Sequence, residues 1–237
     1  MERSSRLGNR CCVSGGVVVD ETMVAEILRP LFDKTRLFGM VKPYVLACTP
    51  SDATREERER LYDAVMMAGA SSVWIIPEPL AAAVGAGIDV SSPYAQMVVD
   101  IGEGVTDCAV IKMSRMQATA AVRVGCSQMR VALAQRQAAT GTSGHPGSEL
   151  EQGLYPALHT IIGLIDDFLK NLRPEEGCEV IESGILLTGG GALIPGLRGY
   201  LEQRFDIAVR VAPRPITSVV EGAHAIVPVV VMLNLLT

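Results

Sequence analysis

The sequence lacks the cysteine and histidine spacings that mark zinc sites and disulfide frameworks. None of its six cysteines forms a C-x-x-C pair, and none stands at a paired spacing with a histidine. Neither a zinc-binding module nor a disulfide-stabilised secreted domain is therefore indicated. We expect most of these cysteines to be small buried hydrophobic residues in a reducing cytosol.

The chain also lacks the excess of basic residues that nucleic-acid-binding domains carry. Its 21 lysines and arginines are outnumbered by 26 aspartates and glutamates, which gives a net charge of -5. A nucleic-acid interface normally shows a basic patch or stripe on the domain surface. We therefore predict a protein without a nucleic-acid partner.

Long hydrophobic runs are missing too. Residues 1–10 carry three arginines, but the Cys-Cys-Val-Ser-Gly-Gly that follows is not the apolar core of a signal peptide, so no export signal is expected. The apolar segment 225–236 falls short of the ~20 residues that a transmembrane helix needs. This segment is predicted to be either a core element or a contact with a partner or a membrane.

What the sequence does contain is a glycine turn between two apolar strands. Residues 98–101 and 105–111 are apolar runs on either side of Gly102-Glu103-Gly104, and they predict a β-hairpin in a chain that is 49% hydrophobic. Gly102 and Gly104 are expected to take the positive φ of a tight turn and to leave N–H groups open to phosphate oxygens.

The carboxylates of this hairpin indicate a possible metal site. Asp100 ends the first strand and Glu103 lies in the turn, so both could hold water around a Mg²⁺ ion, which prefers oxygen ligands. The alternative is an ordinary hairpin whose acidic side chains face solvent.

Strands and helices alternate around the hairpin. A strand at 44–48 precedes a helix with Thr54 and Glu57 in a capping box and an end near Gly69, and a strand at 73–76 follows. This order predicts a parallel sheet with ligands at the carboxyl ends of its strands. Further helices are predicted at 22–32, 150–172 and 193–205, and further strands at 118–124, 184–187 and 207–211.

Three segments carry a family resemblance when they are taken in order. They are Glu-Pro-Leu-Ala-Ala-Ala from Glu78, Asp-Ile-Gly-Glu-Gly-Val-Thr-Asp from Asp100 and Leu-Thr-Gly-Gly-Gly-Ala-Leu-Ile from Leu187. Together they resemble the actin, Hsp70 and sugar-kinase ATPase superfamily and, within it, the MreB family of bacterial actins. The resemblance implies an α/β, actin-like (ribonuclease H-like) fold of mixed sheets flanked by helices, with two large subdomains retained.

The same resemblance implies a domain organisation. A basic tail at 1–14 would precede a partial first subdomain at 15–94 and a second subdomain at 95–237, with a shortened linker near 138–150. A first phosphate hairpin before Val17 and both small subdomains are not recognised in the sequence.

The resemblance also assigns roles to individual residues. Glu78, with Thr106 as its hydrogen-bond partner, would orient the water that attacks the γ-phosphate of ATP; otherwise Glu78 is a helix-start glutamate favoured by the helix dipole. Phosphate and Mg²⁺ would be bound by the hairpin residues Asp100, Gly102, Glu103 and Gly104. Asp100 would contact the Mg²⁺ ion through water.

The adenosine of ATP would be held by the triple glycine and the residue after it, namely Gly189, Gly190, Gly191 and Ala192. The alternative for this segment is a strand-to-helix turn that uses glycine for tight packing. Cys126 and Gln128 depart from the glycine and aspartate that MreB sequences usually carry, and Glu103 stands where most have glycine. The resemblance therefore leaves open whether the chain is a weak Mg-ATPase.

The function that the resemblance implies is that of an ATP-binding cytoskeletal protein in filaments that govern bacterial cell shape. Its partner would be a second copy or a full-length actin homologue, in the cytoplasm and with possible peripheral contact at the inner face of the membrane. A degenerate, non-hydrolysing scaffold or filament-binding protein is the alternative. A phosphotransferase lacks a recognisable substrate domain, and a Rossmann dehydrogenase would need G-x-G-x-x-G spacing.

Overall fold

The computed structural model describes residues 11–35, 41–140 and 155–235. Its first half alternates short strands with helices. The elements are β1 (Val13–Ser14), β2 (Val17–Val18), α1 (Glu21–Thr35), β3 (Tyr44–Thr49), α2 (Arg55–Ala68), β4 (Ser72–Pro77) and α3 (Glu78–Gly85).

The second half begins with a three-stranded meander and continues with helices and two more strands. The elements are β5 (Gln96–Ile101), β6 (Thr106–Lys112), β7 (Arg115–Val122), α4 (Cys126–Thr140), α5 (Tyr155–Lys170), α6 (Pro174–Ser183), β8 (Ile185–Thr188), a 3-10 helix (Gly190–Leu193), α7 (Leu197–Phe205), β9 (Val209–Val211) and α8 (Ser218–Leu235).

A mixed five-stranded sheet forms the centre of the molecule. Its strand order is β7-β6-β5-β8-β9, with β5 antiparallel to β6 and parallel to β8. Nearly every residue of β5, β6 and β8 is buried, and α5 and α7 pack on one face of the sheet through an apolar core. The predicted hairpin at 98–111 is therefore confirmed as the middle of this sheet.

The predicted parallel pairing in the first half is also confirmed. Strands β3 and β4 pair in parallel, and α2 connects them. Helix α2 begins with the expected capping box, since the Glu57 N–H donates to Thr54 Oγ1 at 3.2 Å and the Thr54 N–H donates to Glu57 Oε2 at 2.8 Å. It ends at Gly69, whose φ of 109° is left-handed.

The expected positive φ at Gly102 and Gly104 is wrong, because neither glycine is left-handed. Close packing explains the two glycines instead. A Cβ on Gly104 would lie 3.3 Å from the Gly15 Cα, and one on Gly102 would lie 3.2 Å from the Val105 carbonyl oxygen. The left-handed glycines belong to the neighbouring β1–β2 turn, where Gly15 and Gly16 have φ of 55° and 79°, in a short hairpin that the sequence analysis did not predict.

One helix prediction is wrong in its start, and one helix was missed. The helix expected at 193–205 begins only at Leu197, because Pro195 holds Ile194 in extended backbone and Gly196 is left-handed. Helix α6 was not predicted. The linker expected at 138–150 is helical as far as Thr140, and its remaining residues lie outside the described part of the chain.

Helices α3 and α8 join the two halves through a very close crossing. A Cβ on Gly85 would lie 1.9 Å from the Ser218 carbonyl oxygen, and one on Gly222 would lie 1.8 Å from the Ala81 carbonyl oxygen. Only glycine permits this backbone approach.

The C-terminal apolar segment lies in α8. Val230 and Val231 pack against β3 beside Leu46, whereas Val229 and Met232 are exposed by 57% and 66%. The segment therefore has a half-buried side against β3 and an exposed side. Among the helices that the structure describes, none is long and apolar enough to cross a bilayer.

We predict that Gly222→Ala lowers the free energy of unfolding by at least about 2 kcal/mol, because the added methyl group forces α3 and α8 apart. Gly163→Ala is the matched control. Gly163 lies within α5, where an added methyl group would meet no neighbouring group within 4 Å, so this change should raise stability by about 0.5 to 1 kcal/mol. Urea unfolding of both variants measures the difference, and equal stabilities would contradict the close crossing.

Candidate functional site

A buried polar row crosses three neighbouring strands of the central sheet. Asp100 on β5 lies opposite Asp107 on β6 and opposite Thr188 on β8. The Thr188 hydroxyl donates to Asp100 Oδ1 at 2.9 Å, and the Ser51 N–H donates to Asp107 Oδ1 at 2.7 Å. Each carboxylate therefore has a fixed donor although it is almost completely buried.

Glu78 adds a third carboxyl group beside this row. It is the first residue of α3 and follows directly after β4, so it stands at the carboxyl end of a strand. Burial, followed by the charges of Asp107 and Asp100, raises its pKa to about 8. Burial likewise raises the pKa of Asp100 to about 6, although the Thr188 hydrogen bond opposes this shift. Glu78 is thus mostly protonated at pH 7.

Glu78 and Asp100 border a cleft of about 740 Å³. Six of the ten predicted site residues line it: Glu78, Asp100, Gly102, Glu103, Gly189 and Gly190. The other lining residues were not predicted as ligand contacts: Cys126, Met129, Arg130, Ile194, Pro195, Pro215, Ile216 and Val219.

The four remaining predicted residues lie beside the cleft. Thr106 is fully buried, and its hydroxyl donates to the Val124 carbonyl at 2.8 Å rather than to Glu78, the partner expected from the sequence. Gly104 packs against the β1–β2 turn. Gly191 and Ala192 are buried in the 3-10 helix.

The triple glycine both packs tightly and borders the cleft. A Cβ on Gly189 would lie 2.2 Å from the Ile101 carbonyl oxygen and 2.5 Å from Asp100 Oδ1. A Cβ on Gly191 would lie 2.3 Å from Ile101 Cγ2. The glycines therefore bring this loop directly against the end of β5, and Gly190 faces the open space.

The start of α4 forms another part of the cleft lining, next to Gly190. The Cys126 N–H donates to the Gly102 carbonyl at 2.9 Å, and the Ser127 N–H donates to the Glu103 carbonyl at 2.8 Å. One turn further along α4, the Arg130 guanidinium makes two hydrogen bonds to the Glu103 carboxylate. Arg130 belongs to none of the three sequence motifs and was not predicted as a cleft residue.

Comparison with known proteins identifies the family of the chain. A family model described as MreB/Mbl protein matches residues 10–136 and 145–234. The chain belongs to the MreB/Mbl family. The interruption of the match, at residues 137–144, overlaps the linker expected at 138–150.

Individual relatives support the same assignment. The cell shape-determining protein MreB of Escherichia coli K12 is 30% identical over 250 residues, which cover 87% of this chain and 72% of that protein. The cell shape-determining protein Mbl of Bacillus subtilis 168 is 27% identical over 249 residues, with 87% and 75% covered.

Solved structures confirm the predicted actin-like fold. MreB5 of Spiroplasma citri bound to ADP superposes with a TM-score of 0.85 at 23% identity, covering 93% of this chain and 79% of that one. The MamK double helical filament gives a TM-score of 0.73 at 17% identity, with 92% and 80% covered.

The raised pKa of Glu78 predicts a pH dependence of stability. The folded protein holds this proton more tightly than the unfolded chain, so the free energy of unfolding should fall as pH rises from the ordinary value of 4.5 toward 8. Glu78→Gln has a neutral side chain at every pH. Its free energy of unfolding, relative to that of wild type, should therefore rise by at least about 1.4 kcal/mol from pH 5 to pH 9, which is the equivalent of one pKa unit. Urea unfolding across this range measures the gain.

Glu182→Gln is the control for this experiment because Glu182 is an exposed carboxylate on α6. The pH dependence of its free energy of unfolding should match that of wild type. Parallel curves for wild type and Glu78→Gln would show that Glu78 does not carry the buried proton.

Proposed function

We propose that this chain binds an adenine nucleotide with Mg²⁺ in the cleft and takes part in filaments that govern cell shape. The observation that supports this most strongly is the cleft itself, which brings Glu78 and Asp100 together with the Gly189-Gly190 loop in one lining. Membership of the MreB/Mbl family is the second support for the proposal.

The cleft suits a nucleotide in size and in chemistry. Its volume of about 740 Å³ falls within the roughly 300–1,000 Å³ of small-molecule sites. Met129, Ile194, Ile216 and Val219 provide apolar surface for a base, and Gly189 and Gly190 allow close backbone approach. We assign the adenosine to the segment from Gly189 to Ala192.

The acidic end of the cleft suits a hydrated cation. Within residues 11–35, 41–140 and 155–235, no group of three or more His, Cys, Asp or Glu side chains could hold a metal directly. We therefore propose that Asp100 contacts Mg²⁺ through water, in keeping with the hydration shell this ion retains. When bound, Mg²⁺ would neutralise phosphate charge beside Gly102 and Glu103.

Glu78 is proposed to orient water at the phosphate end. A carboxyl group with a pKa of about 8 is mostly protonated at pH 7, so it can hydrogen-bond a water molecule but is a poor general base. Thr106 and Gly104 would support this site from behind, since they shape the β5–β6 turn. ATP hydrolysis would accordingly be weak.

The relatives suggest the cellular role. MreB and Mbl are named cell shape-determining proteins, and MamK was solved as a double helical filament. We propose that this chain assembles with itself or with a full-length actin homologue in the cytoplasm. Helix α8 exposes Val220, Val227, Val229 and Met232, and these apolar side chains would serve a neighbouring subunit or a peripheral contact at the membrane.

Calorimetry with Mg-ADP tests the nucleotide site. Wild type should bind with micromolar affinity, and Asp100→Asn should weaken binding about tenfold or more, because the amide accepts from Thr188 but carries no charge for the hydrated cation. Asp167→Asn, which removes an exposed carboxylate on α5, should bind as wild type does. Absence of wild-type binding would contradict the proposed site.

Sedimentation and electron microscopy with Mg-ATP test assembly. We expect filaments, and we expect anionic lipid vesicles to increase the pelleted fraction if α8 contacts membrane. Met232→Glu should remove this vesicle effect by placing a charge on the exposed face. Absence of filaments across salt and protein concentrations, both alone and with a full-length homologue, would contradict the cytoskeletal role.

A further inference from the structure

Glu103 and Arg130 form a two-pronged ion pair across the mouth of the cleft. Arg130 Nη1 donates to Glu103 Oε2 at 2.9 Å, and Arg130 Nη2 donates to Glu103 Oε1. Both side chains line the cleft and are about two-thirds exposed. The pair thus joins the β5–β6 turn to α4 at the edge of the site.

Arg130 has a special place in the charge balance of the cleft. The charged residues that line it in the described part of the chain are Glu78, Asp100, Glu103 and Arg130, so Arg130 supplies the single cation. A phosphate group entering here would otherwise meet only carboxyl groups. Its favourable contact must therefore come from Arg130, from a metal ion or from backbone N–H groups.

Few backbone N–H groups at the start of α4 and in the β5–β6 turn are available to a phosphate. The Cys126 and Ser127 N–H groups at the start of α4 already donate to the carbonyls of Gly102 and Glu103. The Gly102 N–H donates to the Val105 carbonyl at 2.9 Å. These amides are occupied, whereas the guanidinium of Arg130 is held by an exposed carboxylate that can move away.

The guanidinium fork binds phosphate in the same bidentate manner in which it binds a carboxylate. We propose that Arg130 is the phosphate-recognition residue of the cleft and that Glu103 is its resident counter-ion, displaced when a phosphate binds. Glu103 keeps the fork aimed across the cleft and competes with anions for it. This inference rests on the proposed nucleotide site, but it assigns phosphate recognition to Arg130, which no sequence motif revealed, and changes the role of Glu103 from a ligand to a counter-ion.

The exchange predicts opposite effects for the two partners of one ion pair. Arg130→Gln removes the cation, so it should weaken binding of phosphate-bearing ligands. Glu103→Gln removes a competitor and a repelling charge, so it should strengthen their binding. A purely structural ion pair would instead make both variants change in the same direction.

Calorimetry in Mg²⁺ with adenosine, ADP and inorganic pyrophosphate separates these outcomes. Arg130→Gln should lower affinity for ADP and pyrophosphate about tenfold or more, as expected for a charge-assisted hydrogen bond, and leave adenosine unchanged. Glu103→Gln should raise ADP and pyrophosphate affinity severalfold, again without an effect on adenosine. Arg55→Gln and Glu59→Gln, which break an exposed ion pair on α2, are the matched controls and should change nothing.

The inference is overturned if both variants weaken ADP binding, if neither changes it, or if adenosine binding falls in parallel. Urea unfolding of both variants should match wild type, since exposed ion pairs contribute little to stability. Failure of the proposed function has a different signature, in which wild type binds neither adenosine nor ADP. Pyrophosphate binding that depends on Arg130 would support the anion site even then.

Discussion

The burial of Asp100 is the constraint on which the rest of the site depends. A carboxyl group in the middle of a sheet is costly to desolvate unless a donor is fixed beside it. Thr188 supplies that donor, and it can do so only because β8 pairs in parallel with β5 at this register. The central strand pairing therefore sets the position of the acidic end of the cleft.

The two halves of the chain meet at this point through α3 and α8. Glu78 begins α3, whereas Pro215, Ile216 and Val219 of the cleft precede or begin α8. Gly85 and Gly222 set the separation of the two helices, because their missing side chains allow the backbones to come into direct contact. The same helix pair therefore positions both Glu78 and Val219 at the cleft.

Much of this architecture was accessible from the sequence because it depends on local signals. Apolar strands around Gly102-Glu103-Gly104 predicted the hairpin, and the Thr54–Glu57 spacing predicted the start of α2. The order of motifs indicated the actin-like fold, and it brought Glu78, Asp100 and Gly189 to one cleft. Each single motif is encoded within a few consecutive residues, and their order along the chain carries the resemblance to the family.

The remainder depends on contacts between distant segments. Gly104 is explained by its close packing against Gly15 and not by a positive φ. No local sequence pattern encodes this contact between distant segments. Arg130 became a cleft residue only because α4 packs its first turn on the β5–β6 turn. Pro215 and Ile216 carry no motif at all, and their role follows from where α8 begins.

The most direct test of the account is a crystal structure of the protein grown with Mg²⁺ and ADP. The account predicts the base against Gly189 and Gly190, and the phosphates near Gly102 and Arg130. Density for the nucleotide at another surface, or an empty cleft at saturating ADP, would contradict it.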